Sequence, residues 1–459
     1  MCRLVCLIAM FCFAACRVEG HYVPFDSPPD SPPEITASWL KHVHGSGREG
    51  VSAAALTADG GLLIAGLFEQ TIDLGNGPLT ANGVALYIAK FAINGQLAWT
   101  KIWNSPHFSD LPREYWSGKL RPLPDGDFVL AGDFTRSWTL GSTTLQATGG
   151  EDVFVARFSS DGELIWARSG GSAVADGIYD VSVDPEGNVA VCGFTYGSGA
   201  FFGGPTLTGS SVWLARITGA GDYSWSRAMP EASFLNQCGV ALMPNGDVVY
   251  AGPFVGTITV GGAPLTSQSE RNIYLVRYGA AAGEHRWSDA KGSNGILGFG
   301  DVEASGSSIV LVGSFRGRAW FGGPFLTAQA SDAFLAKFDA ENGSHQFSLS
   351  MGGPAEDGAD RVAVRADGQL TVLGSFGETA NFGGTQLSTS AGEVFAVDLD
   401  GPTGTVSAAR SLSTPVISDL ATSTKSLVVA GYFTSPITEL TQKLTPDGVA
   451  DGFVLIFKR

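Results

Sequence analysis

Residues Gly150–Gly171 read GEDVFVARFSSDGELIWARSGG. Two apolar runs flank a Ser160-Asp161-Gly162 turn, and the second run carries Trp166. Versions of the stretch recur at Ala85 (ALYIAKFAINGQLAW), Asn272 (NIYLVRYGAAAGEHRW) and Ser331 (SDAFLAKFDAENGSHQF). In a strand, alternate residues share a face. Phe154, Ala156 and Phe158 therefore lie on one face, and Val153 and Val155 on the other. Tyr87, Ala89, Phe91 and Phe334, Ala336, Phe338 repeat the first face. Both faces are apolar, so the strand is expected to be covered on both sides, unlike a sheet with one wet face.

A second column gives the count. Runs that close in a small residue and a glycine end at Gly66, Gly132, Gly193, Gly252, Gly313, Gly374 and Gly431, with spacings of 66, 61, 59, 61, 61 and 57. This is a unit of about sixty residues in seven copies. Asp59-Gly60, Asp125-Gly126, Asn245-Gly246 and Asp367-Gly368 precede the runs as tight turns. Gly-rich hairpins such as Phe202-Gly203-Gly204 and Phe321-Gly322-Gly323 follow them. Each unit then holds four strands: A, turn, B, hairpin, C, turn, D. Small four-stranded antiparallel sheets, each covered by its neighbours, predict an all-β, seven-bladed β-propeller. Residues 36–43 look like a D strand, with Trp39 in the column Trp99, Trp166, Trp225, Trp287, Phe347 and Ala408. The final Asp451-Gly-Phe-Val-Leu-Ile-Phe-Lys-Arg459 looks like a C strand. Pairing the two would complete the seventh blade and close both open edges.

These repeats resemble the bacterial seven-bladed β-propeller repeat (SBBP type). The likeness rests on the D-x-F-x-A-[KR] strand, the x-x-W-x-[RK] strand, the DG-x-x-x-x-x-G pair and the FGG-x-x-LT hairpin, over residues 36–459. The resemblance implies an architecture and no single activity. A fainter similarity runs to quinoprotein and outer-membrane-assembly propeller repeats, through Asn94–Trp99 (NGQLAW) and Asp161–Trp166 (DGELIW).

The 459-residue chain carries 62 glycines, about twice the usual ~7%. Its net charge of −16 contains no basic block, so nucleic acid is an unsuitable partner. Arg3 followed by the uncharged run Leu4–Cys16 reads as an export signal, too short to span a bilayer. Phe13-Ala14-Ala15-Cys16 resembles the bacterial lipobox, with Phe13 where leucine is usual; this implies lipid attachment at Cys16. The expected organisation is a signal peptide over 1–15, a Pro-rich tether over 16–35 and the propeller over 36–459. Four of the six cysteines fall within the first 16 residues. Cys192 and Cys238 are expected to be buried free thiols, with a single bridge between them as the alternative.

The sequence holds no HExxH, GxSxG, CxxC or Walker loop, and no catalytic, metal or cofactor site is expected. Gly45–Gly50 (GSGREG) reads as a loop between repeats. His42 and His44 share a face of an exposed outer strand, an incomplete metal set. Asp125-Gly126-Asp127 and Asp301-Val302-Glu303 read as turn chemistry. The basic column Lys90, Arg157, Arg216, Arg277 and Lys337 is expected to make local ion pairs. The longest departure from the repeat brings Trp103, His107, Phe108, Arg113, Tyr115 and Trp116 together with Asp110. Aromatics with arginine in an inserted loop form a candidate binding patch; the alternative is a loop that packs its own rings. These features favour a monomeric, non-catalytic, envelope-anchored propeller that offers a loop rim to a protein or glycan. The alternatives are a propeller enzyme, quinoprotein-like or acting on polysaccharide at a central channel, and an outer-membrane assembly factor.

Overall fold

The computed structural model describes residues 39–105, 116, 118–209, 211–229, 237–292, 295–390, 392–412, 416–424, 426–439 and 442–458. Cys16 and the Pro-rich segment lie outside this range, as do His107, Phe108, Arg113 and Tyr115.

Seven antiparallel four-stranded blades form a ring. Blade 1 is Ala53–Leu56, Leu62–Asp73, Pro78–Phe91 and Leu97–Ser105. Blade 2 is Lys119–Pro122, Phe128–Leu140, Thr143–Phe158 and Leu164–Ser172. Blade 3 is Asp176–Val183, Val189–Thr195, Ser211–Ile217 and Tyr223–Met229. Blade 4 is Gly239–Leu242, Val248–Phe254, Asn272–Tyr278 and His285–Lys291. Blade 5 is Ile296–Ser305, Ser308–Ala319, Leu326–Asp339 and His345–Met351. Blade 6 is Gly358–Val364, Leu370–Phe376, Glu393–Leu399 and Val406–Leu412. Blade 7 takes Val416–Thr422, Ser426–Phe433 and Asp451–Lys458 from the end of the chain, and Trp39–Val43 from its beginning. The closing pair runs from Trp39 opposite Ile456 to Val43 opposite Gly452. Each strand A touches strand A of the next blade, and the seventh touches the first.

Local chemistry explains the columns. The repeat glycine is a close contact at Gly66, Gly193, Gly313 and Gly374, where a carbonyl at or just before the start of strand A lies against it; at Gly132 the Trp116 ring does. A Cβ on Gly193 would sit 2.0 Å from the Gly177 oxygen, and one on Gly313 2.1 Å from that of Gly298. The Asp-Gly turns need the left-handed backbone that glycine permits, as at Gly60 (φ 77°) and Gly126 (φ 91°). Val153, Phe154, Val155, Ala156 and Phe158 are all fully buried, so both faces of this strand are covered.

Tryptophan joins the blades. Each indole covers the C–D turn of the next blade and donates to a carbonyl there: Trp99 to Ser160 at 3.2 Å, Trp166 to Gly219 at 3.0 Å, Trp225 to Ala280 at 3.1 Å and Trp287 to Ala340 at 3.1 Å. Trp39 lies over Gly95 at the closing junction, which keeps the ring contact of the others without the indole hydrogen bond. On the opposite rim, the B–C hairpins reach back to strand D of the preceding blade. The Phe202 amide donates to Ser169 at 3.2 Å and the Gly292 amide to Trp320 at 3.0 Å.

Cys192 and Cys238 are not free thiols. They form a disulfide, with Cα atoms 6.4 Å apart, from strand B of blade 3 to the residue before strand A of blade 4. The blades bring together two positions 46 residues apart.

Candidate functional site: the channel and the upper rim

In a four-stranded meander, A–B and C–D turns share one end, and B–C and D–A connections share the other, here called the upper rim. The basic column belongs to the lower face, and each member has a polar partner there. Lys90 meets Asp59 at 2.7 Å, and Arg157 meets Asp125 at 2.7 Å and Asp127 at 2.8 Å. Arg277 meets Asp247 and Glu341, both at 2.8 Å. Arg216 stands 4.0 Å from Asp184, and Lys337 donates to the Gly401 carbonyl at 2.8 Å. Local pairing was the expectation and holds for Lys90 and Arg216; Arg157, Arg277 and Lys337 also reach the next blade and so belong to the ring's seam.

Strand A of each blade lines the central channel. Asp301 and Glu303 stand on this strand in blade 5, which corrects their reading as turn residues. The strands are bulged in blades 3, 5, 6 and 7, between Ile178 and Asp180, Phe299 and Asp301, Ala359 and Arg361, and Ile417 and Asp419. A bulge inserts one residue and re-aims those beside it. One level of the channel then holds Lys119, Asp180, Asp301, Arg361 and Asp419, with Ala53 and Gly239 completing the ring. Arg121 and Glu303 stand two residues further along, among alanines and Ser182.

Three of these acids act as staples. Asp180 accepts from its neighbour's amide, Val181, at 2.8 Å and from Val240 of blade 4 at 3.0 Å. Asp301 accepts from Val302 at 2.9 Å and from Val362 of blade 6 at 3.1 Å. Asp419 accepts from Leu420 at 2.9 Å and from Ala54 of blade 1 at 3.0 Å. Arg121 adds an ion pair to Asp180 at 3.1 Å.

The channel encloses a cavity of about 250 Å³, with a smaller one of about 30 Å³ beside Lys119, Tyr179 and Asp180. Enclosure perturbs its titratable groups. Burial, then the Asp301 carboxylate, pushes Glu303 up to about 8. Burial, then Asp180, raises Asp301 to about 6. Burial, then the Arg361 guanidinium, lowers Lys119 to about 8. Among the described residues, no group of three His, Cys, Asp or Glu side chains is arranged to hold a metal ion.

At the rim, Tyr179, Phe194 and Tyr196 form an aromatic series with centroids 5.4 and 5.1 Å apart, leading from the channel to the exposed Tyr196. Six of the seven exposed large apolar side chains among the described residues stand in upper-rim connections: Val174, Tyr196, Val255, Trp320, Phe325 and Val449. The sequence patch is only partly placed. Trp103 is half-buried and packs on Phe158, with centroids 5.5 Å apart. Trp116 is buried, stacks on Phe154 and donates to the Asp133 carbonyl at 3.2 Å. Its ring is core packing, unlike an exposed patch member.

Acid pairs at three blade junctions had no sequence signal. Burial, then neighbouring carboxylates, raises Asp152 (beside Asp176) and Asp332 (beside Asp357) to about 6 and Glu49 (beside Asp451) to about 8. His42 meets Asp451 at 2.6 Å and His44 meets Asp447 at 2.9 Å, so each histidine has its own carboxylate partner.

No protein-family model matches the chain, and no curated protein does. Among solved structures, the chain is similar to Chaetomium thermophilum Sqt1 bound to the N-terminus of a ribosomal protein (12% identity, 91% of this chain, 98% of that one, TM-score 0.40). It is also similar to the Dos1 propeller (10%, 92% and 96%, TM-score 0.41). A third is the quinohemoprotein alcohol dehydrogenase ADHIIG of Pseudomonas putida HK5 (10%, 93% and 78%, TM-score 0.41). Likenesses this distant assign no activity.

Proposed function

We propose that the chain is a non-catalytic binding propeller whose upper rim docks a protein partner, exported and held at a membrane by lipid on Cys16. One observation carries the docking role. Exposed large apolar groups gather in upper-rim connections of blades 3, 4, 5 and 7 and in the loop between blades 2 and 3. The lower turns are instead tied down by ion pairs and indole bonds. Apolar side chains spread over several blades suit a protein surface better than a glycan chain, which needs a compact aromatic platform.

The test is capture from the native envelope by the full chain, with crosslinking. A partner held by wild type and lost by the pair Trp320→Ser and Phe325→Ser supports the reading. Equal capture by that variant, or capture of glycan alone, overturns the protein-docking claim. Radiolabelled lipid incorporated by wild type and abolished by Cys16→Ser is expected for the anchor. Unchanged labelling rejects it.

A channel enzyme is the second reading, favoured by Lys119 and Glu303, whose proton affinities both lie near neutrality. A turnover activity lost in Glu303→Gln would replace the binding reading with this one.

A further inference from the structure

Two junctions bury a pair of acids at the upper rim. Between blades 2 and 3 the pair is Asp152, on strand C opposite Phe134, and Asp176, the first residue of strand A. Between blades 5 and 6 it is Asp332, on strand C opposite Phe315, and Asp357, just before strand A. All four are 6% exposed or less. Each acid closes a piece of the rim. Asp152 accepts from the Thr148 amide at 2.8 Å, in the arm of its own B–C hairpin, and Asp176 from the Ser172 amide at 2.6 Å, at the end of strand D. Asp332 accepts from the Gln329 amide in its hairpin arm, and Asp357 from Gly353 at 2.7 Å and Gly377 at 3.1 Å, just past strands D and B. A Cβ on Gly352 would stand 2.8 Å from Asp357 Oδ2 and 2.9 Å from Asp332 Oδ1, so these two carboxyls crowd one point.

No cation balances either pair. None of the four acids forms an ion pair among the described residues. The other polar groups against the first pair are Thr148, Ser172 and Thr195, which carry no charge. The second pair faces one more acid, Glu356, which is exposed and meets Arg316 at 2.7 Å. The Glu49–Asp451 pair differs, because His42 meets it. Oδ1 of Asp152, of Asp176 and of Asp332 is buried with no hydrogen-bond partner. Two carboxylates enclosed together without a counter-ion cannot both stay ionised.

The junction of blades 4 and 5 is a neutral version of the same site. Asn272 stands in the column of Asp152 and Asp332, opposite Phe254. Leu297 stands where Asp357 does: its amide donates to the Arg271 carbonyl at 3.0 Å, as the Asp357 amide does to Ser331 at 2.6 Å. The same backbone closes there around an amide and an apolar side chain. We propose that the two acid pairs are pH-operated clasps: one proton in each pair keeps the hairpin arm and strand ends of the upper rim closed, and its loss lets them part. Burial, then the partner acid, raises Asp152 and Asp332 to about 6, against about 3.9 for an exposed aspartate. The closed form therefore holds the proton more tightly. Its advantage is complete below about pH 4 and is lost as pH rises through about 6. The first clasp closes the connection that carries the exposed Val174, so it acts on the apolar face of the rim.

Hydrogen exchange of the full chain at about pH 5 and about pH 8, corrected for intrinsic rates, tests this. Protection over residues 148–152, 172–177, 329–332 and 353–358 should fall by about tenfold or more at the higher pH. Residues 267–272 and 295–297, at the neutral junction, should keep theirs. Asp152→Asn and Asp332→Asn should each abolish the change at their own junction. Asn272 shows that the column accepts an amide, and thermal unfolding checks that each variant folds. Equal protection at both pH values overturns the proposal. So does an equal loss at the neutral junction, or a pH dependence that survives both substitutions. Protection restored at the higher pH by calcium chloride would put a cation between the acids and overturns it too. Partner capture is no part of the readout, so this proposal and the docking role fail separately.

Discussion

The indole of Trp166 in blade 2 and the guanidinium of Arg157 converge on one oxygen in blade 3, the Gly219 carbonyl, at 3.0 and 3.3 Å. Arg157 is also fixed by Asp125 and Asp127 of its own blade. The seam between blades is therefore a hydrogen-bonded latch laid over a hydrophobic contact. Trp166 is 7% exposed, and its ring lies 2.8 Å from where a Cβ on Gly221 would stand. Trp166→Ala should cost about 3–5 kcal/mol in denaturant unfolding. Trp166→Phe keeps most of the ring and loses the bond, for a smaller loss of about 1 kcal/mol. Phe347, which lies on Gly404, shows that the ring accepts this replacement at one junction. A Trp166→Ala protein as stable as wild type would remove the latch from the account.

The repeat glycines make a sharper demand. A methyl on Gly193 would meet the Gly177 oxygen at 2.0 Å and the Trp213 ring at 2.7 Å. The backbone cannot yield there without parting strands A and B of blade 3. Gly193→Ala should lower stability by about 1–3 kcal/mol or more through overpacking. Gly77 has nothing near its Cβ position but a φ of 94°, so Gly77→Ala would cost only local strain, about 1 kcal/mol. Chemical unfolding of the two variants side by side separates contact from conformation. Equal losses would show that the column is not a contact.

The Cys192–Cys238 bridge joins two blades across 46 residues. Closing a loop of that length in the unfolded chain should contribute about 2–4 kcal/mol. The double variant Cys192→Ala, Cys238→Ala should unfold at correspondingly lower denaturant. Thiol titration of the unfolded protein should find neither cysteine free before reduction. Two free thiols in freshly exported protein would reject the bridge. Cys192 is fully buried and Cys238 is 4% exposed, so reduction should require partial opening of the ring.

Blade count and closure were legible because two local demands recur along the chain. Glycine is needed where a carbonyl or ring crowds strand B, as at Gly132, Gly193 and Gly313, and an aromatic ring covers the next turn in every blade but the sixth, which has Ala408. Such demands return at nearly every blade and leave a period. The channel left none. Its bulges at Asp180, Asp301, Arg361 and Asp419 break the two-residue alternation, so the residues facing the axis do not announce themselves. Asp301 and Glu303 looked like turn residues because acids are common in turns and Gly298 and Gly300 interrupt the apolar residues of the strand Ile296–Ser305. The Cys192–Cys238 bridge stood in the sequence only as the alternative to free thiols, since two cysteines 46 apart become neighbours only once blades 3 and 4 pack. For Trp116 the sequence left two readings open, a binding group or a ring packed by its own loop, and its ring is buried in the core.

At the closing junction, Glu49 and Asp451 are 1% and 0% exposed, two carboxyl groups buried side by side. Burial, then Asp451, raises Glu49 to about 8, against about 4.3 for an exposed glutamate. A carboxyl whose folded value lies above its unfolded value holds its proton more tightly when folded. Its contribution to stability is complete below about pH 4 and is lost as pH rises through about 8. Asp447 and the His42 that touches Asp451 share the site, so the measured slope belongs to the group. Glu49→Gln keeps the shape and removes the titration. It should flatten the fall in stability between about pH 5 and 8 and raise stability above about pH 8 by on the order of 1–3 kcal/mol. Thermal unfolding of both proteins across that range checks the sign. A wild-type protein that gains stability over the same interval, with the variant following it in parallel, would mean that Glu49 enters the fold ionised.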